Sequence, residues 1–195
     1  DIYVGQDGLI SMGKILFATD LSEEKGVFVL KLTGEVRVTQ GPTISKFLET
    51  FAESKDYQSV IIDLTESINL DSTTLGLLAK LAIKSKKILR TTPTIFSTNP
   101  DISRILDSMG FGELFTLVYT DLERCPEVKE LPTQIASEET MRNQVLEAHK
   151  ILMSMNENNR VCFCDLVEAL EEEQKNCSAS SDDCHAKTSS IRKTG

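Results

Sequence analysis

The sequence predicts an α/β fold: a four- to five-stranded mixed sheet with helices mainly on one side, followed by a C-terminal helical hairpin. Three observations predict it. Short apolar runs alternate with stripes of helical period between Lys14 and Thr120. The composition shifts near Asp121, where Pro, Glu and Lys replace the alternating pattern. From Ser137 onward the apolar residues recur only at helical spacing.

The elements follow in order. Ile15-Leu-Phe-Ala is a strand, and Ser22-Glu-Glu-Lys-Gly is a turn cluster that brings Val27-Phe-Val-Leu-Lys-Leu back beside it. Gly34 interrupts this run, and Val36-Arg-Val-Thr resumes it. Pro42 suits the first turn of a helix, and Ile44, Phe47, Leu48 and Phe51 form its apolar stripe. Ser59-Val-Ile-Ile-Asp-Leu reads as a buried strand, followed by a polar loop. A helix opens at Ser72 or a neighbour, with Leu75, Leu78, Ala79 and Ala82 facing inward. Pro93-Thr-Ile-Phe-Ser is a strand. Asn99-Pro-Asp starts the next helix, and Gly110 is a good residue to end it. Leu114-Phe-Thr-Leu-Val-Tyr is the last strand.

The resulting organisation has five parts. Residues 1–11 are an N-terminal extension or an expression remnant, and Met12-Gly-Lys-Ile-Leu-Phe reads as a start followed directly by a strand. Residues 12–121 are the α/β domain, 122–136 a linker, 137–174 a helical hairpin, and 175–195 a tail expected to be disordered. The hairpin stripe includes Met141, Val145, Leu146, Ala148, His149 and Leu152. A patch of that size needs cover from the sheet domain, from itself or from another chain.

Composition excludes several function classes. The 195 residues suit one domain of ordinary size plus an appendage. Twenty-one Lys and Arg against 30 Asp and Glu give a net charge of −9, with no long basic tract. A nucleic-acid partner is therefore not expected. No apolar run approaches the ~18 residues of a membrane span, and the first residues lack the regions of a signal peptide. A cytoplasmic protein without a membrane partner is expected. The five cysteines are odd in number and cluster late, which does not fit a disulfide framework.

Chemistry concentrates at Val60-Ile-Ile-Asp-Leu-Thr-Glu-Ser-Ile-Asn-Leu-Asp-Ser-Thr-Thr-Leu-Gly. A strand ends, a polar loop follows, and Asp71-Ser72 meets a helix start. The free N–H groups and the positive end of the helix dipole would hold a phosphate carried by a hydroxyl there. Read from local chemistry alone, Asp71 or Ser72 simply caps the helix. Asp63 and Glu66 could form a carboxylate pair, but no matching nucleophile is near in sequence, and a strand-end cap is the reading. His149 reads as a structural or solvated histidine. Cys162 and Cys164 would point apart on a helix, so no metal is expected, and no cofactor.

These residues resemble the STAS domain, the fold of anti-sigma factor antagonists. The resemblance covers about residues 14–120 and rests on four segments. They are Val29-Leu-Lys-Leu-Thr-Gly-Glu-Val, Val60-Ile-Ile-Asp-Leu, Leu70-Asp-Ser-Thr-Thr-Leu-Gly-Leu-Leu and Ile102-Ser-Arg-Ile-Leu-Asp-Ser-Met-Gly-Phe. The third is the most specific. Its family pattern is Asp-Ser-Ser/Thr-Gly-Leu-Gly, matched by Asp71, Ser72, Thr73, Leu75 and Gly76, with Thr74 standing where Gly is common.

The resemblance implies a partner-switching role without catalysis. Unphosphorylated protein would bind an anti-sigma factor or switch-protein serine kinase and free a sigma factor. Phosphorylation of Ser72 would end that binding, and a PP2C-type phosphatase would restore it. Thr73 and Thr74 are secondary phosphoacceptor candidates. Asn69, Asp71, Ser72, Thr73 and Thr74 form the expected partner-binding set. Two alternatives stand beside this reading. One is a STAS-fold sensor or scaffold subunit in a larger signalling complex. The other is an enzyme using Asp71 and Ser72, which requires a general base that the sequence does not reveal.

Overall fold

The structure is a computed structural model that describes residues 2–5, 8–11, 13–20, 26–53, 57–122 and 127–186. The turn cluster at Ser22, the start at Met12, Cys125-Pro126 and the final residues 187–195 lie outside the described residues.

The architecture is mixed α/β. Two short strands, β1 (Ile2–Gly5) and β2 (Gly8–Ser11), pair only with each other. The main sheet contains β3 (Lys14–Asp20), β4 (Val27–Val36), β5 (Ser59–Asp63), β6 (Ser67–Leu70), β7 (Thr94–Phe96), β8 (Thr116–Val118) and β9 (Lys129–Glu130). Its order is β8-β7-β5-β4-β3-β9, with β6 paired to the far end of β4. β3 runs antiparallel to both β4 and β9, while β4, β5, β7 and β8 are parallel neighbours. The helices are α1 (Gly41–Glu53), α2 (Ser72–Leu89), α3 (Pro100–Ser108), α4 (Glu138–Met155) and α5 (Glu157–Ala186).

Most of the expected elements are present, and the differences have physical causes. Gly34 does not break β4. It adopts φ +67°, a conformation that costs little without a Cβ, and the strand continues to Val36 with a register shift against β6. Val38–Gln40 then form a 3-10 turn instead of a further strand. The expected polar loop after β5 contains β6. Ser67-Ile-Asn-Leu has little intrinsic strand preference, and its partner, Gly34–Val36, is remote in sequence. The stretch 122–136 supplies β9, which joins the sheet edge through Leu16–Glu130 and Phe17–Lys129 pairing. α5 extends past Gln174 to Ala186.

Asp63 organises the approach to α2. It ends β5 with its side chain 1% exposed, and its Oδ1 accepts from the Thr65 N–H at 2.9 Å and the Thr65 hydroxyl at 2.6 Å. Lys31 Nζ lies 3.1 Å from Asp63 Oδ2 and 2.7 Å from Glu66 Oε1. The carboxylates expected as a possible pair are thus bridged by a lysine. Burial opposes the Lys31 charge, but hydrogen bonds to Glu66 and Asp63 outweigh it and raise the lysine above its ordinary value. Ser67 Oγ donates to the buried Leu32 carbonyl at 2.7 Å. Together these contacts fix the turn that delivers β6 and then α2.

The hairpin is built into the domain. Gln144, Ala148, Leu152 and Asn156 recur every four residues, so they share one face of the α4 helix and its end. That face meets a glycine at three places. A Cβ on Gly41 would come 2.7 Å from Gln144 Oε1, one on Gly76 would come 2.7 Å from the Ala148 Cα, and one on Gly110 would come 2.7 Å from Asn156 Nδ2. Leu152 is wholly buried in the same apolar core as Leu77, Leu78 and Phe111. The turn of the hairpin grips the end of α3: Asn156 Nδ2 and Asn159 Nδ2 each donate to the Met109 carbonyl at 3.0 Å. Asn159, 2% exposed, also donates to the Leu152 carbonyl at 3.1 Å.

Two expectations follow. Asp63→Ala leaves Lys31 facing a vacated, dry site and frees Thr65, so it should destabilise the fold by about 3 kcal/mol. Urea unfolding followed by circular dichroism measures this. Asn159→Ala removes two hydrogen bonds of the hairpin turn, those to the Met109 and Leu152 carbonyls, and should cost about 2 kcal/mol. Amide hydrogen exchange should place that loss first in α4 and α5, before the central strands.

Candidate functional site

The site is the junction between β6 and the first turn of α2. Asp71 is the N-cap, with extended backbone at φ −82° and ψ 167°, and its Oδ1 accepts from the Thr74 N–H at 2.8 Å. This is the ordinary capping role that its residue type favours. The Asp71 N–H donates to the Val36 carbonyl at 3.3 Å, which ties the cap to the end of β4. Ser72 is therefore the first residue of α2, at the positive end of an 18-residue helix.

The hydroxyls at this helix start differ in environment. Ser72 is partly exposed, while Thr73 is 4% and Thr74 0% exposed. Thr74 Oγ1 is buried without a hydrogen-bond partner. Ahead of them, Asn69 is exposed on β6 beside Ile68, which is 51% exposed, and Asp71 is half-buried. The accessible part of the expected partner set is thus Asn69, Asp71 and Ser72. Thr73 and Thr74 belong to the packed side of the helix.

Ser72 has a partner from the far end of the chain. Its Oγ lies 2.8 Å from Nε2 of His149 on α4. The other ring nitrogen, Nδ1, lies 2.7 Å from the Val145 carbonyl oxygen. A carbonyl only accepts, so Nδ1 carries the hydrogen. In the neutral ring, Nε2 is then the acceptor and the Ser72 hydroxyl donates to it. His149 is 2% exposed, and Phe163 of α5 packs against its ring edge at 5.1 Å between centroids. One helical turn further along α2, Gly76 admits the Ala148 backbone, and Lys80 pairs with Glu147 at 2.6 Å.

His149, read from the sequence as a structural or solvated histidine, is the buried neighbour of Ser72. The available signal was its place in the apolar stripe of α4, where a solvated histidine does not belong. Its partner could not be read, because 77 residues separate it from Ser72. The pairing also bears on the enzyme alternative. Ser72 and His149 stand at nucleophile–base distance, but the group orienting the imidazole is a backbone carbonyl, and the ring is buried beneath two helices. Two cavities, of about 340 and 380 Å³, lie elsewhere. The first is lined by Phe17, Phe28, Phe47 and Phe51 among others, the second by residues of α1 and α4 with Lys80, Gln134 and Ile135. Neither is lined by Ser72 or His149.

The remaining candidates do not converge on a site. Among the described residues no group of three or more His, Cys, Asp or Glu side chains could hold a metal ion. Cys164 faces Asp165 at 3.3 Å, and the hydrogen bond to that carboxylate pushes its thiol above the ordinary value, away from reactivity. Among the described residues no helix is long and apolar enough to cross a membrane.

Comparison with known proteins agrees with this architecture. No curated protein sequence matches the chain. Among solved structures, the chain is similar to an anti-sigma factor antagonist from Mycobacterium paratuberculosis. That match has 22% identity and a TM-score of 0.47, and covers 56% of this chain and 87% of that one. It is also similar to the anti-sigma factor antagonist SpoIIAA in its unphosphorylated form. Here the identity is 13% and the TM-score 0.40, with 52% of this chain and 87% of that one covered. The STAS domain family model matches residues 18–125, more than half of the chain and all of the junction that carries Ser72. This protein belongs to the STAS domain family.

Proposed function

We propose that the protein is an anti-sigma factor antagonist whose binding is governed by phosphorylation of Ser72. The observation that carries the reading is the position of Ser72. It is a partly exposed residue at the N-terminus of α2, directly after the Asp71 cap, inside the segment matched by the STAS family. Thr73 and Thr74 are buried, which favours Ser72 as the acceptor over either of them. Asn69 and Asp71 flank it and would frame the surface read by a partner.

The proposed cycle uses three partners. Unphosphorylated protein binds an anti-sigma factor that is, or is coupled to, a serine kinase. The kinase modifies Ser72, and a PP2C-type phosphatase removes the phosphate. Charge is the physical basis of the switch. A phosphate beside Asp71 places about three negative charges on a surface that must lose water on docking. The helix itself tolerates the added charge, since its dipole favours an anion there by about 0.3–1 kcal/mol.

The test combines affinity capture with phosphosite mapping. The anti-sigma partner should bind wild type and Ser72→Ala, whereas Ser72→Asp should lose about 2–5 kcal/mol of binding. Kinase and ATP should label wild type at Ser72 and leave Ser72→Ala unlabelled. Undiminished labelling of Ser72→Ala, or equal binding by Ser72→Asp, would place the switch elsewhere.

A further inference from the structure

The STAS match ends at residue 125, yet the helix that follows lies on the Ser72 end of α2. Contacts run along a full turn and more of that face. His149 accepts the Ser72 hydroxyl, the Ala148 backbone sits against Gly76, and Glu147 pairs with Lys80. We infer that α4 is the intramolecular occupant of the face that presents Ser72, so that docking of the hairpin and phosphorylation of Ser72 exclude each other. This inference rests on Ser72 being the phosphoacceptor, as proposed above.

Geometry and charge both support the exclusion. In phosphoryl transfer from a nucleoside triphosphate, Ser72 Oγ forms the new bond to phosphorus. The bond from that phosphorus to the nucleoside diphosphate oxygen breaks, and the hydroxyl proton passes to a base of the kinase. With α4 docked, that hydroxyl already points at His149 Nε2, 2.8 Å away, which leaves no room between them for a phosphorus and its oxygens. His149 has no space to retreat, being 2% exposed with Phe163 against its ring. Its Nδ1 is held at 2.7 Å by the Val145 carbonyl, so the ring is fixed in place and cannot swing aside for an incoming phosphate. Lys80, a cation on the same face, is already paired with Glu147.

The exclusion works in both directions. A closed hairpin withholds the hydroxyl from a kinase, and a phosphate once formed opposes closure. An anti-sigma partner that recognises the unmodified face must also displace α4. The hairpin therefore sets how often the face is available, and apparent affinity for any partner falls with the open fraction.

Hydrogen exchange on the full chain tests this without a kinase or a partner. Two variants are compared with wild type. Ser72→Glu places a carboxylate where the phosphate would begin, and Ala148→Leu drives a side chain into the Gly76 crossing. Each should speed exchange of α4 amides between residues 144 and 155 by at least tenfold, while the amides of β4 and β5 stay within twofold. Exchange of α4 in Ser72→Glu within twofold of wild type would overturn the exclusion, because charge at position 72 and a docked hairpin would then coexist. Unchanged exchange in Ala148→Leu would equally overturn it, by removing the crossing on which it depends. If Ala148→Leu does not fold, the Ser72→Glu comparison decides alone. Phosphosite mapping is independent of both, so a failed acceptor assignment and a failed exclusion are told apart.

Discussion

The arrangement of this protein depends on one close approach, the crossing of α2 and α4 at Gly76 and Ala148. Two helices meet there with no side chain larger than a methyl group between their backbones. Any Cβ at position 76 would have to displace main-chain atoms of α4, which a packed interior resists. Because the helices come so near, His149, the next residue on α4, reaches the first residue of α2. Leu152, one turn further, reaches the core. The contacts of Gln144 at the start of α1 and of Asn156 after α3 extend the same line in both directions. A single helical face thereby meets three glycines, at the start of α1, within α2 and just after α3.

That arrangement changes what the site is. Taken alone, the Asp71-Ser72 helix start is the positive end of a helix dipole, capped by the contact from Asp71 to the Thr74 N–H. With α4 in place it becomes a junction between the family domain and its C-terminal addition. The hydroxyl that the STAS resemblance marks for modification is also a hydrogen-bond donor that helps to seat the addition. The proposed modification and the docking of α4 would therefore draw on the same atom.

Local signals in the sequence revealed much of the fold. Asn99-Pro-Asp, the Ile102 and Leu106 stripe and Gly110 mark α3 from cap to end, because each acts within one turn of itself. Ser59–Asp63 is apolar enough to be placed as a buried strand, and the Asp71 cap is visible beside the inward-facing leucines of α2. Features that rest on distant partners were not legible. β6 exists because Gly34–Val36 offers it an edge, and Lys31 neutralises Asp63 from a neighbouring strand. Gly41, Gly76 and Gly110 show their common purpose only when α4 lies across them. At the site, the register of Ser72 was legible and its partner was not. His149 stood out only as a polar residue in an apolar stripe, and nothing local connects it to a serine 77 residues away.

In this structure the His149 imidazole closes over Ser72 as a hydrogen-bond acceptor. Nitrogen-15 NMR of the full chain at neutral pH reads that bond. His149 should hold its hydrogen on Nδ1, bonded to Val145, with Nε2 bare and a nuclear Overhauser contact from its ring to the Ser72 β-protons. A ring that carries its hydrogen on Nε2, or that shows the averaged signals of a solvated histidine without contact to Ser72, would show that the two side chains are not paired in this way.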